Sequence, residues 1–144
     1  MALVEDYLEY RRNTNSFARF LGLEMTGMQE GYATGTLKIR DEFRNSHGTV
    51  HGGCLFTVAD TIGGNVAASH GLAMTTLSSD FHYLKPCKDV STIYIVGREI
   101  KNGRTVCLID VEVSDGADVV FAKGTFTFFN LGKPLISDKA GDSN

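Results

Sequence analysis

Residues 54–68 are predominantly apolar. Leu55, Val58, Ala59, Ile62 and Val66 recur at the spacing of one helical face, and Cys54, Phe56, Ala67 and Ala68 make the other faces apolar too. This period predicts a helix, and a helix that is apolar all round is expected to be buried. Gly71 is placed to end it in a left-handed cap. A weaker helical stripe runs through residues 3–21, carried by Leu3, Val4, Tyr7, Leu8, Phe17, Phe20 and Leu21, with an interruption expected at residues 13–16. Residues 32–40 alternate instead. Ala33, Gly35, Leu37 and Ile39 share one face, as in a half-buried strand. Four more strand-like runs follow the long helix, at about 74–84, 91–100, 105–113 and 118–129. Lys101-Asn102-Gly103-Arg104 predicts a hairpin with a type I′ turn, because Asn-Gly accepts the positive φ angles that turn needs. Ser114-Asp115-Gly116-Ala117 is a second such signal.

The order is helix, strand, helix, then a meander of four strands. It predicts an α+β chain in which a five-stranded antiparallel sheet packs on one long buried helix, with an extra N-terminal helix over about residues 2–21. At 144 residues, without repeats or a linker, residues 1–144 read as a single domain with a tail frayed from about 134. One helix covers only one face of such a sheet. A helix apolar all round must therefore touch something else, and a second copy of the chain is the economical answer. A homodimer, or a homotetramer built from two of them, is expected.

Composition narrows the field. With 42% hydrophobic and 22% charged residues, the chain reads as globular rather than disordered. A net charge of −3 and no run of Lys or Arg argue against a nucleic-acid partner. No apolar stretch reaches membrane-spanning length, and Glu5, Asp6 and Glu9 do not suit a signal peptide. A cytoplasmic protein with no membrane partner is expected. Cys54, Cys87 and Cys107 are odd in number and lack disulfide or metal spacing, so they read as buried free thiols.

The apolar helix contains one acid, Asp60. An ionised carboxylate in such a place is costly unless it is paired or has a task. It is a candidate general base or nucleophile; the alternative is a buried Asp satisfied by neighbouring donors. Gly52 and Gly53 stand where the helix begins. Backbone N–H groups there are free and lie at the positive end of the helix dipole, and glycine lets a ligand approach them closely. They suit a developing oxyanion, although simple turn geometry would also use two glycines. His47 and His51 lie four apart, but Gly48 between them marks a loop and no further ligand has metal spacing, so no metal site is expected.

The stretch Asn45-Ser46-His47-Gly48-Thr49-Val50-His51-Gly52-Gly53-Cys54, with Asp60 eight residues after Gly52, resembles the hotdog-fold acyl-CoA thioesterases of the phenylacetic-acid-degradation type. Thr75-Thr76-Leu77-Ser78-Ser79-Asp80-Phe81-His82-Tyr83-Leu84-Lys85-Pro86 is similar to that family's next strand, which carries a Ser or Thr seven residues before an aromatic and ends in Pro. The resemblance covers roughly residues 22–129. It implies a hotdog fold, with two sheets joined into one continuous sheet and the helices inside. It implies hydrolysis of an acyl or aryl-acyl thioester of coenzyme A to the free acid and CoA. No cofactor is implied, coenzyme A being part of the substrate.

Carried over to this chain, Asp60 is the base or nucleophile and the Gly52 N–H polarises the carbonyl. Asn45 orients the carbonyl or the attacking water, and Thr76 holds the water beside the acid. His51 and Gly53 belong to the substrate-binding loop, His51 mainly as a structural hydrogen-bonding group. In the family the site is shared across the dimer, so Asn45 and Gly52 would act with Asp60 and Thr76 of the other subunit. Lys85, Arg98, Lys101 and Arg104 are candidates for the coenzyme A phosphates. Gly63 and Gly64, one turn after Asp60, cost about 1 kcal/mol each against alanine. That predicts a close approach there, by the facing helix of a dimer rather than by an acyl chain. Two other readings stand beside this one: a non-catalytic acyl-thioester-binding protein on the same fold, and a hotdog dehydratase using His51 and Asp60, whose loop pattern this chain does not resemble.

Overall fold

A computed structural model describes residues 2–136. The tail expected to fray from about 134 lies mostly outside them, although Pro134 still belongs to the last strand and the Leu135 N–H donates to the Gly71 carbonyl at 2.9 Å. The N-terminal stripe forms two helices, α1 (Ala2–Thr14) and α2 (Ser16–Leu21). The break falls at Asn15, whose side chain accepts from the Ala18 N–H and caps α2. Gly22, at φ 85°, ends α2 by donating back to Ala18 and Arg19.

Then come β1 (Glu24–Gln29), β2 (Tyr32–Lys38), a short 3₁₀ turn (Asp41–Phe43), α3 (Gly52–Ala68), β3 (Leu72–Tyr83), β4 (Thr92–Asn102), β5 (Val106–Ser114) and β6 (Val120–Pro134). The strands form one antiparallel sheet in the order β1-β2-β4-β5-β6-β3. It has six strands rather than the expected five. The unanticipated strand, β1, holds Glu, Gly, Gln and two Met among its residues and slips register between Met25 and Gly27, so it carries little β-branched or alternating signal.

The expected meander of four strands is corrected as well. Only β4, β5 and β6 follow one another; β3 crosses to the far edge and pairs with β6. The hairpin at Asn102-Gly103 is present, but neither residue has a positive φ, so the turn is not type I′. A loop over 103–105 closes instead, with the Gly103 N–H on the Val106 carbonyl at 2.9 Å. The second hairpin uses a longer loop, 115–119, in which Asp115 accepts from the Ala117 and Val119 N–H groups.

The core lies between α3 and one face of the sheet. Leu55, Val58, Ala59, Ile62 and Val66 meet Leu37, Ile93, Ile95, Ile109, Val111 and Phe126, all buried. Burying each such large side chain contributes about 1.5–3 kcal/mol. Gly35 and Gly97 let the helix come close: a Cβ there would stand 2.7 Å from Ile62 and 2.8 Å from Val66. Gly63 serves the same contact from the helix side, since a Cβ on it would meet Val111 at 3.2 Å and Phe128 at 3.4 Å. The close approach expected at Gly63 is thus made by the chain's own sheet, not by a facing helix.

Nor is α3 buried all round. Gly53 is exposed, and Thr57, Asp60, Thr61 and Gly64 are half-buried along its outer side. Part of that side is covered by α1, where the Tyr7 hydroxyl donates to Asn65 Oδ1 at 2.6 Å. The far edge of the sheet is open. Along β3 most residues are exposed, Leu77 at 60% and Tyr83 at 54%. No helix among the described residues is long and apolar enough to cross a membrane.

Candidate active site

The loop before α3 is held by its own side chains. Asn45 Oδ1 accepts from the His47 and Thr49 N–H groups at 2.9 and 3.2 Å, and Asn45 Nδ2 donates to Thr49 Oγ1 at 2.9 Å. Gly48, at φ 79°, makes the tight return. His51 is the helix N-cap: its Nδ1 accepts from the Gly53 N–H at 2.8 Å, which requires that nitrogen to be unprotonated and places any ring hydrogen on Nε2. The Gly53 donor is therefore taken.

The Gly52 N–H is not. It has no acceptor among the described residues, and it points out from the positive end of a seventeen-residue helix. The Gly52 carbonyl accepts from the Tyr83 hydroxyl at 2.8 Å, and a Cβ on Gly52 would sit 3.1 Å from the Tyr83 ring. Partial burial raises the Tyr83 hydroxyl above its ordinary value, so it stays a neutral donor. Around the free N–H lies a cleft of about 460 Å³ whose walls include Asn45, Leu55, Tyr83 and Lys85.

Asp60 lies two turns further along α3, about 12 Å at the rise of a helix. Its Oδ1 accepts from Thr76 Oγ1 on β3 at 2.7 Å, and its second oxygen has no partner among the described residues. Thr57 and Thr61 do not compete for it, because their hydroxyls donate to the carbonyls of Gly53 and Thr57 at 2.8 and 2.7 Å. Asp60 is half-exposed, not buried as the apolar helix suggested. The reason is that it faces the outer side of α3, which the sheet does not cover. It opens into a second cleft, of about 450 Å³, walled by Tyr7, Phe17, Phe56, Met74 and Phe128. Gly64 lines the same cleft.

The residues singled out in the sequence therefore fall into two groups on one chain. Asp60 and Thr76 share one cleft; Asn45 and Gly52 share the other, at the opposite end of β3. Of the candidate cations, Lys85 lines the Gly52 cleft. Arg98 lies over the Tyr32 ring, 5.0 Å from its centroid, and Lys101 and Arg104 sit at the β4–β5 hairpin. His47 and His51 form no metal cluster: among the described residues no group of three His, Cys, Asp or Glu could hold an ion. Burial pushes the Cys54, Cys87 and Cys107 thiols up to about 11, which leaves them poor nucleophiles at neutral pH. Tyr83, the partner of Gly52, was visible beforehand only as the aromatic seven residues after Thr76. Tyr7, Arg11 and Phe17 carried no signal beyond an amphipathic helix.

The family model for the thioesterase superfamily matches residues 47–122, the stretch that carries both His51-Gly52-Gly53 and Thr76. The acyl-coenzyme A thioesterase PaaI of Escherichia coli K12 is 29% identical over 96 residues, which span 67% of this chain and 69% of that protein. The structure of the E. coli PaaI protein, from the phenylacetic acid degradation operon, superposes with a TM-score of 0.87 at 22% identity, covering 92% of this chain and 96% of that one; this likeness concerns the fold. A protein of Streptococcus mutans UA159, solved bound to acetyl CoA, is 38% identical with a TM-score of 0.74, covering 78% of this chain and 90% of that one. A thioesterase protein of Streptococcus pneumoniae TIGR4, solved with coenzyme A, is 37% identical with a TM-score of 0.74, covering 78% and 88% of the two chains. The pneumococcal protein has also been solved with an Asp replaced by Ala and with a Thr replaced by Ala.

Proposed function

The chain belongs to the thioesterase superfamily, and on that premise we propose that it hydrolyses an acyl thioester of coenzyme A to the free acid and CoA, with Asp60 as the base. The observation that carries this reading is the Asp60–Thr76 pair at 2.7 Å, set in a cleft with aromatic walls. Thr76 holds one carboxylate oxygen, which leaves the other to take a proton from water. The two positions replaced in the pneumococcal protein lie sixteen residues apart, the separation of Asp60 and Thr76.

Water adds to the thioester carbon as its proton passes to Asp60. The carbonyl oxygen becomes an oxyanion, which accepts from the Gly52 N–H and from the second Asn45 Nδ2 hydrogen, the one not used by Thr49. Collapse expels the coenzyme A sulfur and returns the proton. The two residue groups are too far apart along α3 to meet one thioester within one chain. Two copies resolve this. β3 is a twelve-residue edge strand, paired with β6 on one side and open on the other, a liability in a lone chain. Antiparallel pairing of two β3 strands about a two-fold axis between Ser79 and Asp80 sets Thr76 of one subunit opposite Tyr83 of the other. That brings Asp60 and Thr76 to the Gly52 N–H across the interface.

The test is reassembly. Asn45→Ala and Asp60→Asn chains are each expected to release CoA from an acyl-CoA about a hundredfold more slowly than the parent. Mixed dimers of the two regain one intact site, because the other site collects both lesions. No recovery in properly mixed dimers places the site within one chain. Tight binding of acyl-CoA by the parent without thiol release identifies a binding protein instead of an enzyme.

A further inference from the structure

One wall of the Asp60 cleft comes from outside the sheet and α3. Tyr7 and Arg11 on α1, Asn15 at the break and Phe17 on α2 line it together with Phe56 and Phe128. A directional bond holds that wall in place. Tyr7 is 2% exposed and donates to Asn65 Oδ1 at 2.6 Å, while Asn65 Nδ2 donates to Met25 Sδ at 2.9 Å. Burial pushes the Tyr7 hydroxyl up to about 12, so it remains a neutral donor. A buried polar pair of this kind has one good geometry, since displacing either partner strands the other. It fixes α1 against α3 just past Asp60.

On this wall Arg11 has capacity to spare. It is half-buried, its guanidinium lies 5.8 Å from the Tyr7 ring centroid, and no carboxylate among the described residues comes within ion-pair distance of it. Asp60 shares the cleft and Glu24 the adjoining cavity, yet neither pairs with it. A guanidinium presents five donors in a planar fork, and the ring face of Tyr7 satisfies none of them. Its natural complement is a planar anion with two acceptors, which is a carboxylate.

The direction of the substrate follows from the two clefts. With the thioester between Asp60 and the Gly52 N–H, coenzyme A leaves toward Lys85 and the acyl group enters the cleft of Tyr7, Phe17, Phe56 and Phe128. We propose that α1 is the acyl-selecting wall of the site and that Arg11 is its specificity residue, favouring acyl groups that carry a carboxylate at the end remote from the thioester. This rests on the thioesterase reading above.

The experiment compares hexanoyl-CoA with adipoyl-CoA, which match in carbon count and differ in the terminal carboxylate, in the parent, Arg11→Leu and Arg11→Lys. Removing a charge-assisted hydrogen bond to the bound acyl end lowers the ratio of kcat/KM for adipoyl-CoA to that for hexanoyl-CoA about tenfold or more in Arg11→Leu. Arg11→Lys, which keeps the charge but not the fork, falls between. The ratio of the two substrates is read within one protein, so loss of folded enzyme does not move it. An unchanged ratio overturns the proposal. So does a matching weakening of product inhibition by free CoA, which would place Arg11 on the coenzyme phosphates. Normal hexanoyl-CoA turnover alongside an unchanged ratio leaves the thioesterase reading standing and removes only this one. A parent that releases thiol from neither substrate removes this proposal, and one that releases none from a panel of acyl- and aryl-acyl-CoAs removes the thioesterase reading as well.

Discussion

At its first residue α3 leaves the Gly52 N–H without an acceptor among the described residues, whereas its last turn is densely tied down. Ser69 Oγ donates to the Val66 carbonyl at 2.6 Å and accepts from the Gly31 N–H at 2.9 Å. His70 stands between two glutamates, with Nδ1 3.0 Å from Glu30 and Nε2 2.6 Å from Glu99. Gly71, at φ 91°, donates to Ala68 and accepts from Leu135. The closing end ties the β1–β2 turn, β4 and the end of β6 to one helix terminus. Such an end has nothing left to offer a ligand. The opening end keeps hydrogen-bonding capacity in reserve, at the helix terminus where the dipole favours negative charge. On the proposed reading, stability and chemistry are assigned to opposite ends of the same helix, and each assignment can be broken separately.

The most damaging change should be removal of the free donor alone. Gly52→Pro does this, because proline is well tolerated at a first helical position. His51, at φ −58° and ψ 134°, already has the extended conformation that a following proline requires. Gly52→Ala is the control: it brings the same Cβ toward Tyr83 but keeps the N–H. The proline variant should turn over acyl-CoA about a hundredfold more slowly than the alanine variant, with similar melting temperatures. Equal rates for the two would remove the oxyanion role from this N–H.

A more modest loss is expected two turns in. Thr76→Val should lower turnover by about tenfold in the parent, and by almost nothing when Asp60 is already Asn, because groups serving one function are not additive. Steady-state rates of the two single variants and the double variant decide it. Full additivity would mean that Thr76 acts without Asp60.

The mildest consequence belongs to the closing end and should appear in stability, not rate. Burial opposes the charge on His70, but the hydrogen bonds and charges of Glu99 and then Glu30 outweigh it and raise its pKa above the ordinary histidine value. A raised folded-state pKa stabilises most below the unfolded value of about 6.5, and the contribution is lost as pH rises through the folded value. His70→Ala should therefore cost about 1–2 kcal/mol near pH 6, and less as the pH becomes alkaline. Turnover should be unchanged. Denaturant unfolding of parent and variant across that range measures it. A gap that widens with pH would mean that His70 is held neutral.

Much of this was legible along the chain. The Leu55-to-Val66 stripe located α3, the alternation of Ala33, Gly35, Leu37 and Ile39 located β2, and Asn15 stood where the N-terminal helix breaks. These signals are local. A helix repeats at three and four residues and a strand at two, and a cap acts on a donor three residues away, so the information lies in one short window. Asp60, in an apolar helix, and Gly52, at a helix start, could be singled out from their own setting, whereas Asn45 in a loop and Thr76 in a strand are ordinary there and drew notice only through the family resemblance.

Other features depend on residues far apart in the chain. Strand order is one case: nothing in residues 72–83 says that β3 pairs with β6 rather than with β4, since either choice satisfies the same alternation. β1 is another, because its pairing with β2 comes from the turn at Gly31 and not from its own composition. Exposure is a third. The apolar stripes dominate the reading of this helix, yet Thr57, Asp60, Thr61 and Gly64 recur at helical spacing on the side that the fold shows the sheet leaves open. Most of the elements and the candidate groups could be read from the chain, because short-range geometry and motif spacing are written in neighbouring residues. The resemblance implied that the two pairs act from different subunits. Only the folded arrangement shows that they lie in two clefts at opposite ends of one open edge strand, because that separation is a distance between elements that no local window contains.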